Sequence, residues 1–248
     1  MKIRAIILSA LILCGISAVI MYSRAAQPQQ KSSVITQAIN DKNTPMVIKN
    51  LILKMKEQME VNDDQFPELI KEVENYTNSC ADSASVAVLH SMLAEMYQNY
   101  YQRNQWTINQ RTQLSGYIPE DIRVWTSNLF TDKIKEEIDL SLRPTALLQN
   151  TPVSKFKDIL EIGKDSQTLR PTLYEFLAFR ALDIQPTVQI YKDLIAFQNK
   201  EPNMKSVLLT ELDYLRFLYG DKRDKESFEA YMNALDELYR NLASQNYA

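Results

Sequence analysis

The stretch Leu169–Leu182 reads LRPTLYEFLAFRAL and is the densest apolar run after the N-terminus. Its local chemistry is that of a helix start. Thr172 and Glu175 form Thr-x-x-Glu ahead of an apolar run, the spacing of a capping box. In such a box the threonine hydroxyl accepts from the third N–H of the helix, and the glutamate reaches back to the threonine N–H. Pro171 sits just outside, where it cannot extend the helix backwards. Leu173, Phe176, Leu177 and Ala181 fall on one stripe, and Tyr174, Ala178 and Leu182 widen it. A helix apolar around so much of its circumference is predicted to be central, with several neighbours. Arg180 shares the side of Leu173 and Leu177, so it is predicted to snorkel or to pair with a carboxylate. The run is too short to span a bilayer.

The same signals recur along the chain. Thr44-Pro45 opens a helix with Val47, Ile48, Leu51, Ile52 and Met55 at helical spacing, and Pro67 opens another. Asp82 caps a long one with Val86, Leu89, Leu93, Met96, Tyr97, Tyr100 and Tyr101 on one side. Pro119 and Glu120 are predicted to begin a helix running through Trp125, Leu129 and Ile138, and Thr151-Pro152 a short one. Pro186 opens the helix TVQIYKDLIAFQNK. Met204 to Tyr219 follows, with Gly220 as its C′ residue, and Asp224 to Ala243 is the last. No run alternates at period two long enough to read as a strand. Only four of the 248 residues are glycine, whereas hairpins and bulges lean on glycine. The predicted fold class is therefore all-α: about nine or ten helices as antiparallel hairpins, in a solenoid-like or compact helical array. LRPT occurs at Leu142–Thr145 and again at Leu169–Thr172, but that spacing fits no common helical repeat.

The first residues read as an address. Lys2 and Arg4 precede an uncharged run from Ala5 to Tyr22, and Ser23-Arg24-Ala25 offers small residues for cleavage. Residues 1–25 are read as a signal peptide or a retained signal anchor. Lipidation at Cys14, in LILCG, is a third outcome, although Leu13 sits where lipoprotein sites want a small residue. Residues 26–43 are read as a polar linker and short helix, and 44–248 as one all-helical domain. Each version exports the body to the periplasm or cell envelope, with membrane anchoring only through the N-terminus. Loss of Lys2, Arg4 and Arg24 takes the net charge from −3 to −6. No basic block survives, which excludes nucleic acid as the expected partner.

Catalytic signals are sparse. His90 is the only histidine, which excludes a multi-histidine zinc site. The acidic clusters Asp63-Asp64, Glu136/Glu137/Asp139 and Asp236-Glu237 read as a helix-start pair and as solvated faces. There is no glycine-rich phosphate loop and no glycine-flanked serine nucleophile. Cys80 has no basic neighbour in sequence to lower its pKa. The chain is predicted to be no enzyme, with no catalytic residue, cofactor or metal. The one cluster with binding chemistry is Tyr97, Tyr100, Tyr101 and Trp106, with Arg103 and Arg111 close by. Stacked aromatics with arginine grip peptides or glycans, and helix packing uses the same residues.

Three segments, in order, carry a resemblance: Val88–Thr112 (VLHSMLAEMYQNYYQRNQWTINQRT), Leu169–Leu182, and Gln189–Gly220 (QIYKDLIAFQNKEPNMKSVLLTELDYLRFLYG). Together they resemble the N-terminal region of alpha-2-macroglobulin-like proteins of the Bacteroidetes type. There a leader precedes a helical region with an Ala-Glu-Met-Tyr-like and a Pro-Thr-Leu-Tyr-Glu/Asp-Phe-Leu-Ala element. The resemblance spans most of residues 45–245 and implies an exported endopeptidase-inhibitor system. In such a protein trap, macroglobulin sandwiches, a bait segment and a Cys-x-Glu-Gln thioester capture a protease. None of those functional residues has a counterpart here, since Cys14 continues as Gly-Ile-Ser and Cys80 as Ala-Asp-Ser. The expected role is a non-catalytic N-terminal module whose partners are downstream macroglobulin domains or envelope proteins. The alternative is a stand-alone periplasmic helical-repeat scaffold that binds peptides or proteins. Mass spectrometry of the exported chain separates the three fates of the leader: a start near Ala26 for cleavage, an intact Met1 for an anchor, a diacylglyceryl Cys14 for a lipoprotein.

Overall fold

The computed structural model describes residues 44–61, 65–112, 118–160, 165–200, 203–220 and 224–245. The leader with Cys14, the linker before residue 44 and the acidic pair Asp63-Asp64 lie outside the described residues. Ten α-helical segments follow in order among those described: α1 Thr44–Val61, α2 Phe66–Ser79, α3 Ser83–Ile108, α4 Ser127–Ser141, α5 Thr145–Asn150, α6 Ser166–Leu169, α7 Leu173–Ile184, α8 Val188–Gln198, α9 Met204–Tyr219 and α10 Lys225–Gln245. No strand occurs among them, so the all-α prediction holds. A single isolated bridge pairs Pro152 with Thr172.

The helix starts follow the sequence chemistry. Asp82 accepts from the Ser85 N–H at 3.2 Å to cap α3, Thr187 does the same for Ile190 and α8, and Asn203 for Ser206 and α9. At α7 the capping box is complete: Thr172 Oγ1 accepts from the Glu175 N–H, and Glu175 Oε2 accepts from the Thr172 N–H. Each such cap is worth about 1 kcal/mol.

Packing reverses the expected ranking of the helices. The central element is α3, which packs against α1, α2, α4 and α7. It is buried around its circumference from Ala84 to Tyr97, and Ala84, Ser85, Ala87, Ser91 and Ala94 give neighbouring backbones room to approach. Sequence reading had given α3 one apolar side and put α7 at the centre. In the structure α7 lies against α3, α5 and α8. Its buried arc is Leu173, Tyr174, Leu177, Ala178, Ala181 and Leu182, joined by Glu175. Phe176, expected in that arc, is only partly buried. It lies on a second face with Phe179, Arg180 and Asp183, at the i, i+3, i+4, i+7 spacing of one helix side. From α7 onward the array is serial: α8 packs on α7, α9 on α8 and α10 on α9.

Three expected boundaries change. The helix expected from Pro119 starts instead at Ser127. Asp121 turns its carboxylate onto the Arg123 N–H and closes a 3-10 turn, Ile122–Val124. Trp125 Nε1 then donates to the Pro119 carbonyl at 2.6 Å, which fixes the segment as a folded loop. The short helix after Pro152 is a 3-10 turn, Val153–Phe156. Gly220 follows α9 with φ −67°, so it ends the helix in right-handed geometry and not in the left-handed conformation typical of a glycine at C′.

Phe130 is fully buried and touches four other rings, whereas Phe176 sits at an edge. Phe130→Ala is expected to cost roughly 3–5 kcal/mol and Phe176→Ala less than half as much. Urea unfolding followed by helical circular dichroism measures both. An equal loss at the two positions would refute this placement of α7.

Candidate interaction surface

The aromatic cluster singled out by sequence is divided by the fold. Tyr97 and Tyr100 face inward and are buried, Tyr101 is partly buried, and Trp106 is 78% exposed. The expectation that all four form one partner-binding cluster is therefore corrected. They sit on α3 at positions 97, 100, 101 and 106, and the first three turn toward α4 while the last turns to solvent. The inner rings belong to a packing cluster that sequence reading missed, built around Phe130 and Trp125. Tyr97 stacks on Trp125 with ring centroids 5.7 Å apart. Tyr100 and Tyr101 stack on Phe130 at 5.7 and 5.8 Å. Phe66 of α2 meets Tyr100 at 6.5 Å. Such pairs add about 0.5–1.5 kcal/mol each beyond their buried area. Arg111 is used structurally as well, donating to the Trp125 carbonyl at 2.7 Å.

The polar groups of this region are also internal. His90 is partly buried, and its Nδ1 lies 2.7 Å from Glu137 Oε2, which ties α3 to α4. Glu137 is 2% exposed. It was expected on a solvated face, and its neighbours Glu136 and Asp139 do lie outward. A carboxylate this deep needs compensation. His90 supplies one bond and the Lys133 ammonium, at 2.8 Å, supplies charge. Burial works against that ammonium, but hydrogen bonds to Glu137 and Glu136 outweigh it and hold its pKa above the ordinary lysine value. Next to it, Tyr97 donates to Glu74 Oε1 at 2.6 Å. The histidine and its carboxylate thus face a helix seam. Among the described residues, no group of three or more histidine, cysteine or acidic side chains is placed to hold a metal ion. Cys80 is a free, partly buried thiol at the end of α2.

The second face of α7 is partly open to solvent: Phe176, Phe179 and Arg180 are half-buried and Asp183 is exposed. Arg180 donates through Nε to Ser91 Oγ at 2.8 Å and pairs with Glu95 Oε2 at 2.6 Å. Of the two expected outcomes, snorkelling or pairing with a carboxylate, the structure shows the pair, with Glu95 of α3. Arg170 places its guanidinium 3.7 Å over the Phe179 ring. Burial pulls its pKa down, while Asp183, Asp213 and Glu175 oppose that shift. Between α1 and α2 runs an open cleft of about 540 Å³, floored by Val47 and Leu51 and rimmed by Lys71, Glu72 and Tyr76. No described helix is long and apolar enough to cross a membrane.

Two buried phenols make the core sensitive to alkali. Burial, then the nearby Asp193 charge, pushes Tyr174 up to about 12. Burial and the bond to Glu74 push Tyr97 further up. A raised phenol favours the neutral form in the folded state. Its stabilisation is complete below the ordinary tyrosine value near 10 and is lost as pH climbs through the folded value. For Tyr174 that is roughly 2–3 kcal/mol, lost between about pH 10 and about pH 12. A titration followed by phenolate absorbance and circular dichroism is expected to show two phenols ionising only as helicity disappears. Full ionisation near pH 10 with helicity intact would contradict this burial.

No family model, no curated protein and no solved structure matches the chain.

Proposed function

We propose that this chain is a non-catalytic, exported helical module of the kind found at the N-terminus of alpha-2-macroglobulin-like proteins, and that it holds or docks other parts of such a protease trap. The observation that carries the reading is the ordered resemblance of three segments. The packing adds to it. Those segments supply α3, α7 and the α8–α9 pair, and these helices lie against one another in turn, α3 with α7, α7 with α8 and α8 with α9. A similarity confined to one packed unit is what a shared module would leave.

The surfaces fit a docking role. The conspicuous polar groups are committed to structure: His90 to Glu137, Arg180 to Glu95, Tyr97 to Glu74. Among the exposed side chains are large apolar ones such as Trp106 and Tyr239, which suit protein contact. Export rests on the leader chemistry of residues 1–25. The alternative, a stand-alone periplasmic scaffold, rests on Trp106, whose ring is largely free on the surface of α3.

The genomic frame downstream of Ala248 tests the first reading. A frame encoding many short strands and a Cys-x-Glu-Gln thioester is expected, and unrelated genes beyond a stop codon would remove the family reading. The second has its own test. If the scaffold reading is correct, Trp106→Ala abolishes capture of a defined envelope partner at unchanged thermal stability. Unchanged capture takes Trp106 out of consideration.

A further inference from the structure

Trp106 stands on a surface whose make-up differs from the rest of the chain. Its indole is 78% exposed on the last turn of α3. A single exposed apolar ring is ordinary, so its surroundings decide what it can do. On a helix surface the neighbours of position 106 lie three and four residues away, at Gln102, Arg103, Asn109 and Gln110. All four are exposed, and so is Gln105 beside them. Asn109 keeps right-handed helical geometry, with φ −67° and ψ −14°, so the face continues past Ile108. The chain has 31 acidic residues in 248, yet none occurs between Glu95 and Glu120. On α3 the indole is therefore framed by carboxamides and one guanidinium.

The core beneath holds this face in place. Ile108, two positions after Trp106, is fully buried and pins the end of the helix. Tyr101 stacks on Phe130 at 5.8 Å and donates its phenol to Asn109 Oδ1 at 3.2 Å. That bond fixes the Asn109 carboxamide and leaves its amino group to donate. Arg111 ties the following segment to the Trp125 carbonyl. The carboxamides of Gln102, Gln105 and Gln110, by contrast, have no hydrogen-bond partner among the described residues. Each offers an oxygen that accepts and an amino group that donates. A ring and a polar group already held by the fold lose less freedom when a ligand arrives.

This combination selects a ligand. A nucleic acid or an acidic peptide needs several cations, and a basic peptide needs carboxylates. This face of α3 has one guanidinium and no carboxylate. An apolar protein surface laid over it would strip water from the carboxamides and leave them unbonded. A sugar hydroxyl donates and accepts at once, as a carboxamide does. A pyranose with equatorial hydroxyls also turns a face of C–H bonds toward an indole, whose apolar body and polar N–H suit a half-wet contact. A β-1,4 linkage keeps such a chain extended along the open flank of a helix. We infer that the Trp106 face of α3 binds an uncharged β-linked pyranose chain, with one ring stacked on the indole and its hydroxyls bonded to the carboxamides of Gln102, Asn109 and Gln110. The inference goes beyond the docking role proposed above and does not depend on it. It assigns Trp106 a glycan in place of the peptide of the scaffold reading.

The probes are β-1,4-linked hexamers of glucose and of N-acetylglucosamine, with a hexamer of galacturonate as the charged control. Each is titrated into the exported full chain. The other tryptophan, Trp125, is buried, so a change in emission on stacking reports Trp106. At least one neutral hexamer is expected to bind saturably, to shift the emission to the blue and to shield it from acrylamide. Ligand-observed NMR reads the variants. Trp106→Ala is expected to weaken binding at least tenfold with unchanged circular dichroism, and Trp106→Tyr to restore part of it. The double variant Gln102→Ala, Gln110→Ala is expected to weaken binding at least threefold. Absence of saturable binding by both neutral hexamers overturns the proposal, as does binding that Trp106→Ala leaves unchanged. A galacturonate hexamer bound more tightly than both neutral ones also overturns it, because charge would then choose the ligand. Should Trp106→Ala unfold, the glutamine pair decides the matter. The frame downstream of Ala248 bears on the family reading alone.

Discussion

The fold depends on one constraint: the stretch of α3 from Ala84 to Tyr97 must be covered by helices around most of its circumference. Four helices close around it, and each brings its own requirement. Small residues at Ala84, Ala87, Ser91 and Ala94 permit the close approach. Tyr97 and Tyr100 fill the wider seam toward α4 with stacked rings. The polar cost is met at the same seams. His90 meets Glu137 on α4, Tyr97 meets Glu74 on α2, and Ser91 and Glu95 receive Arg180 from α7. Removing one partner from such a buried pair leaves the other unsatisfied, which costs more than the bond itself contributes. The polar groups on α3 therefore fix the order of its neighbours while apolar burial supplies the driving force.

The remainder is a serial stack with a different logic. Here each helix packs on the one before it, α8 on α7, α9 on α8 and α10 on α9. Glu175 shows how the junction is pinned. Its carboxylate is 3% exposed, closes the α7 capping box through Oε2 and accepts from Gln198 of α8 through Oε1 at 3.1 Å. A residue that reads as an ordinary cap is thus also the polar link between two helices. Toward α10 burial declines, and the last helix has half-buried residues on one flank and exposed aromatics on the other.

Catalysis needs convergent groups with free valences in a recess. The only histidine faces a helix seam, and the free thiol sits at the end of α2. Among the described residues, His90, Arg180 and Tyr97 are bonded across helix seams. Of the aromatic cluster proposed from sequence, Trp106 alone remains on the surface.

Capping chemistry and periodicity are local, and they were legible: the Thr172–Glu175 box, the Asp82 cap and the all-helical class follow from neighbours within four residues. Fourteen positions of LRPTLYEFLAFRAL sufficed to place a helix and to leave Arg180 two options, snorkelling or a carboxylate partner. They did not reveal that the carboxylate was Glu95, eighty-five positions away. Nor did they place Phe176 at an edge, since the buried arc of α7 depends on where α3, α5 and α8 press against it. Glu137 reads like its acidic neighbours until α3 brings His90 over it. The sequence by itself determined the all-helical class and the starts of the long capped helices, because a helix start is fixed within one turn; it did not find the short helices Thr145–Asn150 and Ser166–Leu169. Only the tertiary structure decided which helix is central, which aromatics are core and which remain outside, because burial is a property of neighbours that are distant in the chain.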